Sequence, residues 1–482
     1  MKKIIFLSLA MLATKAMALS IDWTGGYRIE YTEIDRPSLA ESKERKAYGL
    51  NYLYLQPKIL ASDGIVINSR FDVFGNTHRA YKNSQLGSVF GSGLSSYDST
   101  TPSNNAANGN NVNSETSDSS IIRVSQLYLT VNNEFGNFVV GRAPFEFGLG
   151  ITHNAGKGEF DHWYDTQDLI SYRFIVDNIS FTPIWSRVAQ KDFGQGVTIS
   201  DQMFVFEYDN KEIGAKAGVL HQTRRSSLES NDGLTPGHAF PIAGVDPIAT
   251  PVTLSGAWAT QTINLFFGRS WQAFQFKLEA SFLTGDSGFL VAGSQVKLNA
   301  YAVAAEMLWP AQADAKWEYG AKFGVASGDD PKTQNVIEGY QMDRNYDVAM
   351  LLFNHRMGQK DFLTTGMIHT DSTLNVGNSA DDEAIGNVFY VAPSAKYQWN
   401  EKVDVKSTLI FGQLMTNPYN SVDFSKDLGT ELDVEVIYKP RERVTWSNEI
   451  GILLPGKAWK DGASGLDNKL NFGLATKAAI TF

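Results

Sequence analysis

Charged residues at alternate positions of apolar segments are the residues of this sequence that are best placed to do chemistry. Lys277 and Glu279, for example, alternate with Phe276, Leu278 and Ala280. Side chains of an extended strand point to opposite faces with a period of two, so this segment has one charged face and one apolar face. A wall of such fixed charges acts electrostatically, because it attracts mobile ions of one sign and repels those of the other.

Counting alternate positions along each predicted strand places a set of charged side chains on one shared, pore-facing side. They are Arg28, Arg70, Arg123, Arg142, Arg173, Lys277, Glu279, Lys316, Glu318 and Lys322. The five arginines fall early in the chain and predict a positive strip that selects anions. The alternative is that they pair across strands with Glu30, Asp72 and other acids and so brace the wall, and the two roles are compatible. A register error of one residue would move any of these side chains to the opposite face.

Motifs for catalysis and for metal binding are missing from the sequence. The seven histidines are scattered, with no HExxH pair, and no GxSxG elbow occurs. The pair Gly148 and Gly150 lacks the rest of a dinucleotide fingerprint and its βαβ context. Cysteine is absent, which excludes disulfides and cysteine-ligated metal sites. We therefore predict that the protein is not an enzyme and uses no catalytic residue, metal ion or cofactor.

The elements that position the charged residues are predicted to be hairpins of strands about ten residues long. Tight turns rich in Asn, Asp and Gly alternate with longer polar loops. The predicted tight turns are at 62–64, 132–134, 177–178, 210–212, 270–273, 310–314, 400–402 and 441–443. Short turns at one end of a sheet and long loops at the other are typical of outer-membrane barrels, in which the turns face the periplasm.

Alternating strands fit either a soluble array of β-sandwiches or a transmembrane barrel. A sandwich array would need a large apolar interior, whereas a wide barrel has a water-filled lumen for its polar face. The final strand alternates through Leu470, Phe472 and Leu474 and ends on Phe482, as closing strands that the barrel assembly machinery binds typically do. We therefore predict an all-β transmembrane antiparallel barrel of eighteen strands, or twenty if 361–371 forms a further span.

The first eighteen residues are predicted to be a signal peptide. Lys2 and Lys3 precede an apolar run and the small residues Ala16 and Ala18. The alternative, a retained anchor, would need roughly 20 apolar residues, and this run is much shorter. Cleavage after Ala18 would remove three lysines and change the formal net charge from −10 to −13. It would leave one barrel domain, 19–482, in the outer membrane of a Gram-negative bacterium.

Two long loops are predicted to lie outside the membrane. Residues 76–120 are rich in Ser, Asn, Gly and Thr and are predicted to be a mobile loop or, in part, an inward constriction. Residues 222–257 contain four prolines and are the predicted plug or lid. Acidic residues crowd the loops, which predicts contact with lipopolysaccharide and membrane lipid, while the acidic balance of the chain argues against nucleic acid as a partner.

Several segments resemble alginate-export-like outer-membrane barrels. They are GVASGDD at 324–330, DRNYDVAMLLF at 343–353, HRMG at 355–358 and NVFYVAP at 387–393, and VVGR at 139–142 resembles a strand ending that this family shares with other porins. The resemblance implies an eighteen-stranded monomeric channel, and in some members an arginine-lined pore that passes an anionic polysaccharide. On that resemblance, the same five arginines are the candidates for lining the pore.

Together these patterns predict an outer-membrane channel for passive diffusion or export of small or oligomeric solutes of anionic or sugar-like character. The alternative is a structural or adhesive surface barrel whose lumen is plugged and whose loops bind another surface.

Overall fold

The computed structural model describes most of the chain. The described residues are 20–39, 45–73, 122–190, 198–226, 252–254, 259–312, 315–355, 357–358, 383–417, 425–460 and 469–482. The predicted signal peptide, the loop 76–120, the segment 361–371 and most of the loop 222–257 lie outside these ranges. The roles predicted for the signal peptide and the two long loops therefore stay predictions.

One sheet of twenty strands accounts for almost all the regular structure of the described residues. The strands are β1 (Ser20–Asp35), β2 (Arg45–Ser62), β3 (Ile65–Val73), β4 (Ile122–Asn133), β5 (Gly136–Pro144), β6 (Thr166–Val176), β7 (Ile179–Gln190), β8 (Thr198–Asn210), β9 (Ala215–Ser226), β10 (Val252–Leu254), β11 (Ala259–Ser270), β12 (Gln275–Val291), β13 (Ser294–Trp309), β14 (Trp317–Ala326), β15 (Val336–Ile337), β16 (Val388–Asn400), β17 (Val403–Leu414), β18 (Asp427–Arg441), β19 (Val444–Pro455) and β20 (Asn471–Thr481). A 3-10 helix, Lys457–Trp459, follows β19. Among the described residues, no helix is long and apolar enough to cross a membrane.

Eighteen of these strands form a closed antiparallel barrel, because β10 and β15 are short additions to the edges of β12 and β13. The barrel closes where β20 pairs with β1. There the Phe482 amide donates to the Gly25 carbonyl at 3.0 Å, and the Gly25 amide donates back at 2.9 Å. Since β14 pairs directly with β16, the ring has no gap for two further strands. The prediction of eighteen strands is confirmed, and the alternative of twenty is wrong.

Each of the eight predicted tight turns connects two consecutive barrel strands, and all eight lie at one end of the barrel. We call this the turn end and the opposite end the loop end. The turn between β2 and β3 shows why glycine is needed there, since Gly64 has a φ of 73°. An L side chain rarely adopts that backbone conformation.

The outer face of the barrel is apolar and exposed. On β8, Phe204 and Phe206 are 39% and 52% exposed, whereas their neighbours Met203 and Val205 point inward and are buried. Exposed tryptophans such as Trp23, Trp271, Trp309, Trp317, Trp399 and Trp446 mark the turn end of this belt. An exposed apolar belt of this kind, bounded by aromatic rings, is the surface that a barrel presents to lipid. The predicted transmembrane barrel is confirmed.

The apolar belt leads to a prediction about membrane stability. Leu265 lies on the outer face near the middle of β11, and its side chain is 43% exposed. We expect Leu265→Arg to lower the free energy of unfolding in bilayers by about 2–4 kcal/mol, because it places a cation in the hydrocarbon. Gln261→Arg, on the same face nearer the loop end, should cost roughly 0–1 kcal/mol. Equal losses in urea titrations of the two variants would contradict this placement of the belt.

Candidate functional site

Two loops at the loop end fold back into the barrel. Loop A, residues 145–165, connects β5 to β6, and loop B, residues 327–355, follows β14. Phe147 of loop A packs in an interior apolar cluster on the wall with Met203 and Leu220. Loop B contributes to a second interior cluster, which is centred on the wall of β16 to β19. The lumen is therefore narrowed from two sides.

Loop A is held at its tip by Glu279 on β12. One carboxylate oxygen of Glu279 accepts hydrogen bonds from the backbone amides of Leu149 at 2.5 Å, Gly150 at 3.1 Å and Ile151 at 3.4 Å. Gly148 and Gly150 have φ values of 62° and 83°. A Cβ atom on Gly148 would lie 2.5 Å from the same carboxylate oxygen. Glycine is therefore required for the backbone to turn and approach this acid so closely.

The far end of loop A is held by Arg28 on β1. Its guanidinium donates to the backbone carbonyls of Glu159 at 3.3 Å and Asp161 at 2.7 Å. It also forms an ion pair with Glu30 at 2.7 Å. The second Glu30 oxygen lies 2.9 Å from His162 Nε2. These groups are almost fully buried, so Arg28 braces the wall and the loop and does not face open solution.

Arg70 on β3 has the same bracing role. Its Nε donates to Asp72 at 2.9 Å, and its guanidinium stacks between the rings of Tyr54 and Tyr164 at 4.7 and 4.8 Å. The Tyr164 hydroxyl, from loop A, donates to the second Asp72 oxygen at 2.8 Å. Arg28 and Arg70 therefore brace the wall, as the alternative interpretation predicted. Each forms an ion pair with a neighbouring acid and contacts loop A.

Loop B is held by two carboxylates of β18. Glu431 accepts hydrogen bonds from the backbone amides of Leu351 at 2.6 Å and Leu352 at 2.7 Å. Asp433 accepts one from the Met350 amide at 3.0 Å. Both acids are buried. The wall thus uses the same device twice, in which a carboxylate accepts successive backbone amides of an inward loop.

The two loops meet across the lumen. The Asp343 amide donates to the Ile151 carbonyl at 2.8 Å. The guanidinium of Arg344 lies over the Trp163 ring at 4.5 Å, and the Trp163 amide donates to the Asn345 side chain at 3.0 Å. The contact joins both loops into one constriction, and we take this constriction and the wall beneath it as the candidate functional site.

The contact between the loops should depend on pH. Burial and, to a smaller extent, the nearby Asp165 carboxylate together raise the pKa of the Asp343 carboxyl to about 8. An acid whose pKa is raised on folding binds its proton more tightly in the folded state, so its contribution to stability declines as pH rises from about 4 to about 8. We expect brief loop-opening events in single-channel records to become more frequent over that range. Asp343→Asn should flatten the dependence, and an unchanged profile in that variant would contradict the assignment.

Four ion pairs line the inner wall on the turn-end half of the barrel. They are Arg173–Glu207 at 3.2 Å, Lys216–Glu207 at 3.4 Å, Lys322–Glu306 at 3.2 Å and Lys396–Glu318 at 2.7 Å. In every pair the cation is the more exposed partner. The cationic side chains are 35–47% exposed, and the carboxylate side chains are 21–25% exposed.

Most of the predicted pore-facing residues lie on the inner face. The inward set is Arg28, Arg70, Arg173, Lys277, Glu279, Glu318 and Lys322, and Arg123 lies opposite the inward Asp72. Their environments differ, however. Arg28, Arg70 and Glu279 are buried against loop A, whereas Arg173 is 43% exposed and Lys322, which donates to the Asp347 carbonyl of loop B, is 39% exposed. The single positive strip that the five arginines predicted is therefore wrong.

Arg142 lies on the outer face, contrary to the prediction. It lies opposite the exposed Leu127 in the register, and its guanidinium forms a bidentate pair with Asp168 at 2.7 and 2.8 Å. The prediction failed because β5 does not alternate. Val139 points inward to an apolar cluster and Val140 points outward to lipid. Because both faces of this strand are apolar, the hydropathy pattern does not indicate which alternate residues point inward.

Lys316 lies in a turn and not on the barrel wall. Strand β14 begins only at the next residue, and the Lys316 carbonyl accepts a hydrogen bond from the Gln398 amide at the end of the ladder. Its ammonium lies 5.9 Å from the centre of the Tyr397 ring. The alternation of β14 was extended one residue too far, into the turn.

The constriction formed by loops A and B was not predicted from the sequence, which assigned inward roles only to 76–120 and 222–257. One signal was available in loop B. Residues 348–353, Val-Ala-Met-Leu-Leu-Phe, are all apolar. A loop exposed to water at the rim of the barrel would be expected to carry polar or charged side chains instead. Among the described residues, no group of three or more His, Cys, Asp or Glu side chains is placed to hold a metal ion.

Comparisons with known proteins identify the architecture. No family model matches the chain, and no curated protein matches it in sequence. The structure is similar to OccK9 (OpdG) of Pseudomonas aeruginosa, with a TM-score of 0.50 at 10% identity over 96% of this chain and 99% of that chain. It is also similar to a BenF-like porin of Pseudomonas fluorescens, with a TM-score of 0.51 at 7% identity over 96% and 98% of the two chains.

At such low identity these similarities show the fold alone. The comparisons do not single out alginate-export-like barrels among porin-type structures. The chain has the closed eighteen-stranded fold of outer-membrane porin-type barrels.

Proposed function

We propose that this protein is an outer-membrane channel that conducts small anionic solutes by passive diffusion. The observation that carries the proposal is the difference in exposure along the inner wall. In each of the four ion pairs described on the turn-end half, the cation is the more exposed partner. A permeating solute therefore meets ammonium and guanidinium groups first.

The acids of the wall are withdrawn from the lumen for a structural reason. Glu279, Glu431 and Asp433 are buried under the loops whose amides they accept. Glu30 and Asp72 are covered by the arginines that brace them. Because these carboxylates anchor the constriction and are buried, the more exposed charges that remain on the wall are positive. A positive potential in a narrow pore raises the local concentration of anions.

The finer features of the proposal come from the sequence. The resemblance of 324–330 and 343–353 to alginate-export-like barrels favours sugar acids or their oligomers as solutes. The choice of sugar acids does not rest on an arginine-lined pore, because Arg28 and Arg70 brace the wall and do not face the lumen. We also propose that residues 1–18 direct export, that the closing strand ending at Phe482 is recognised by the assembly machinery, and that the protein catalyses no reaction.

Planar-bilayer recordings test the proposed function. Full-length mature protein should produce discrete conductance steps, and in a tenfold KCl gradient the reversal potential should have the sign that indicates chloride preference. Adding a sugar acid such as glucuronate should transiently block the current more than neutral glucose does. Absence of steps would favour the plugged structural barrel, and a cation-selective reversal potential would overturn the anionic preference.

A further inference from the structure

A pocket of about 370 Å³ lies on the inner wall between β12 and β18, on the turn-end half of the barrel. We call it the wall pocket. It lies directly below both anchors of the constriction. Its residue Lys277 is two positions from Glu279, which holds loop A, and its residue Glu435 is two positions from Asp433, which holds loop B. A solute that has passed the two loops therefore reaches the wall pocket next.

The antiparallel register arranges the charged side chains of the wall pocket in two rows, because residues that are paired in register point to the same face of a sheet. The upper row, nearer the loop end, is Lys277, Glu306 and Lys322. The lower row, nearer the turn end, is Glu318, Lys396, Lys406 and Glu435. Each row crosses neighbouring strands of the wall.

The upper row leaves one ammonium group, that of Lys277, outside the ion pairs of the described residues. Glu306 lies opposite Lys277 in the register but pairs with Lys322 at 3.2 Å. Lys322 also donates to the Asp347 carbonyl of loop B at 2.9 Å. The Lys277 side chain is exposed, so its ammonium group keeps its hydrogen-bond donors available to a solute.

The lower row likewise leaves the ammonium group of Lys406 outside the ion pairs that the described part of the chain forms. Lys396 lies directly opposite Lys406 and pairs with Glu318 at 2.7 Å. Glu435 lies on the other side of Lys406 and accepts a hydrogen bond from the Ser447 hydroxyl at 2.6 Å. Each charged row of the wall pocket thus has one lysine that is available to bind an anion.

The space between the two rows is uncharged. It is crossed by a middle row of Gln275, Leu308, Gly320 and Ser394. Gly320 has no side chain, and a Cβ atom there would lie 2.7 Å from Ser394 Oγ. The charged rows cross β14 at Lys322 and Glu318, which are four residues and roughly 13 Å apart along the strand. This arrangement suits an elongated solute with a negative group at each end and an uncharged middle.

We propose that the wall pocket binds linear dicarboxylates, with one carboxylate at Lys277 and the other at Lys406. The proposal rests on the proposed function, since it names a class of anion that the channel would hold. Lysine has a flexible stem, so these two side chains can reach toward β14 from either side. A charge-assisted hydrogen bond of about 2.8 Å at each end leaves roughly 7 Å for the solute, about the length of an extended six-carbon chain.

Equilibrium binding to the full-length mature barrel in detergent tests the proposal, and it does not depend on whether the barrel conducts. The probes are adipate, malonate and hexanoate, each titrated by isothermal calorimetry at neutral pH. Adipate has two carboxylates at the proposed spacing. Malonate has the same charge on a shorter chain, and hexanoate has the same chain with one carboxylate. We expect adipate to bind about tenfold more tightly than either, because it alone reaches both lysines.

Two variants of the wall pocket should weaken adipate binding for different reasons. Lys277→Gln with Lys406→Gln removes both ammonium groups and should lower the affinity about tenfold or more. Gly320→Leu fills the middle row without changing any charge and should lower it by a similar factor. The matched control is Lys211→Gln with Lys402→Gln, which removes two exposed lysines from the turns. It should bind adipate as the wild type does.

Malonate or hexanoate that binds as tightly as adipate would overturn the proposal, and so would full adipate affinity in either pocket variant. The wall pocket and the proposed function fail separately. A barrel with anion-selective conductance but no preference for adipate keeps the function and loses the pocket. A barrel that prefers adipate but gives no conductance steps keeps the pocket and loses the function. Retention of the barrel on unboiled gels verifies that each variant is folded.

Discussion

Replacing Lys216, Lys277 and Lys396 with glutamate is expected to turn an anion-preferring channel into a cation-preferring one. All three lie on the inner face of the turn-end half, where Lys216 and Lys396 are the more exposed members of their ion pairs and Lys277 lies opposite Glu306. The change converts three positive charges into three negative ones in a confined pore. The ratio of anion to cation permeability should fall by about tenfold or more.

The measurement is the reversal potential in a tenfold KCl gradient, which should change sign. The corresponding glutamine triple variant should give an intermediate value, because it removes the positive charges without adding negative ones. As a control, Lys211→Glu and Lys402→Glu change exposed lysines in the turns and should shift the potential much less. If the control pair shifts it as much as the inner-wall variants, the selectivity arises at the mouth of the channel and not along its wall.

Removing the carboxylate of Glu279 is expected to release loop A and widen the channel. Glu279→Ala leaves the amides of Leu149, Gly150 and Ile151 without their acceptor. A buried donor without a partner costs about 1–3 kcal/mol, so even one of them would raise the population of the open loop roughly 5-fold to 150-fold. Single-channel records should show frequent transitions to a larger conductance.

Glu279→Gln should have a smaller effect, since the side-chain oxygen still accepts from the loop while the charge is lost. Glu318→Ala is the matched control, because Glu318 lies on the same inner face but pairs with Lys396 and not with a loop. If Glu279→Ala gives the conductance of the wild type, the amide cluster is not what holds the constriction in place. If Glu318→Ala opens the channel equally, the effect comes from wall charge in general.

The shell of the barrel could be predicted because its signals are local. A two-residue period marks strands such as β12 and β18, and clusters of Asn, Asp and Gly mark the turns between them. The prediction failed locally at the boundary of β14, where Lys316 precedes the strand, and on β5, where the alternation is weak. On β5, Val139 and Val140 are both apolar, so Arg142 was assigned to the wrong face.

The interior could be predicted only in part. Arg28 and Arg70 were correctly predicted to point inward. The alternation of residues along a strand, however, does not show whether an inward arginine braces the wall or selects permeating ions. That distinction depends on loop A, whose backbone carbonyls lie more than 130 residues along the chain from Arg28. No periodic pattern connects two such segments, since they become neighbours only when the ring of strands has closed.

The sequence by itself determined that this chain forms a β-barrel with an apolar exterior, a charged lumen and turns at one end, because each of these follows from the alternation of adjacent residues. Only the tertiary structure decided which charges remain available to a solute. Carboxylates such as Glu279 and Glu431 are buried by loops that reach them through the lumen. Lysine and arginine side chains elsewhere on the inner wall stay partly exposed. The reason is physical: the direction of a side chain is set by its own strand, whereas its burial is set by whatever folds over it.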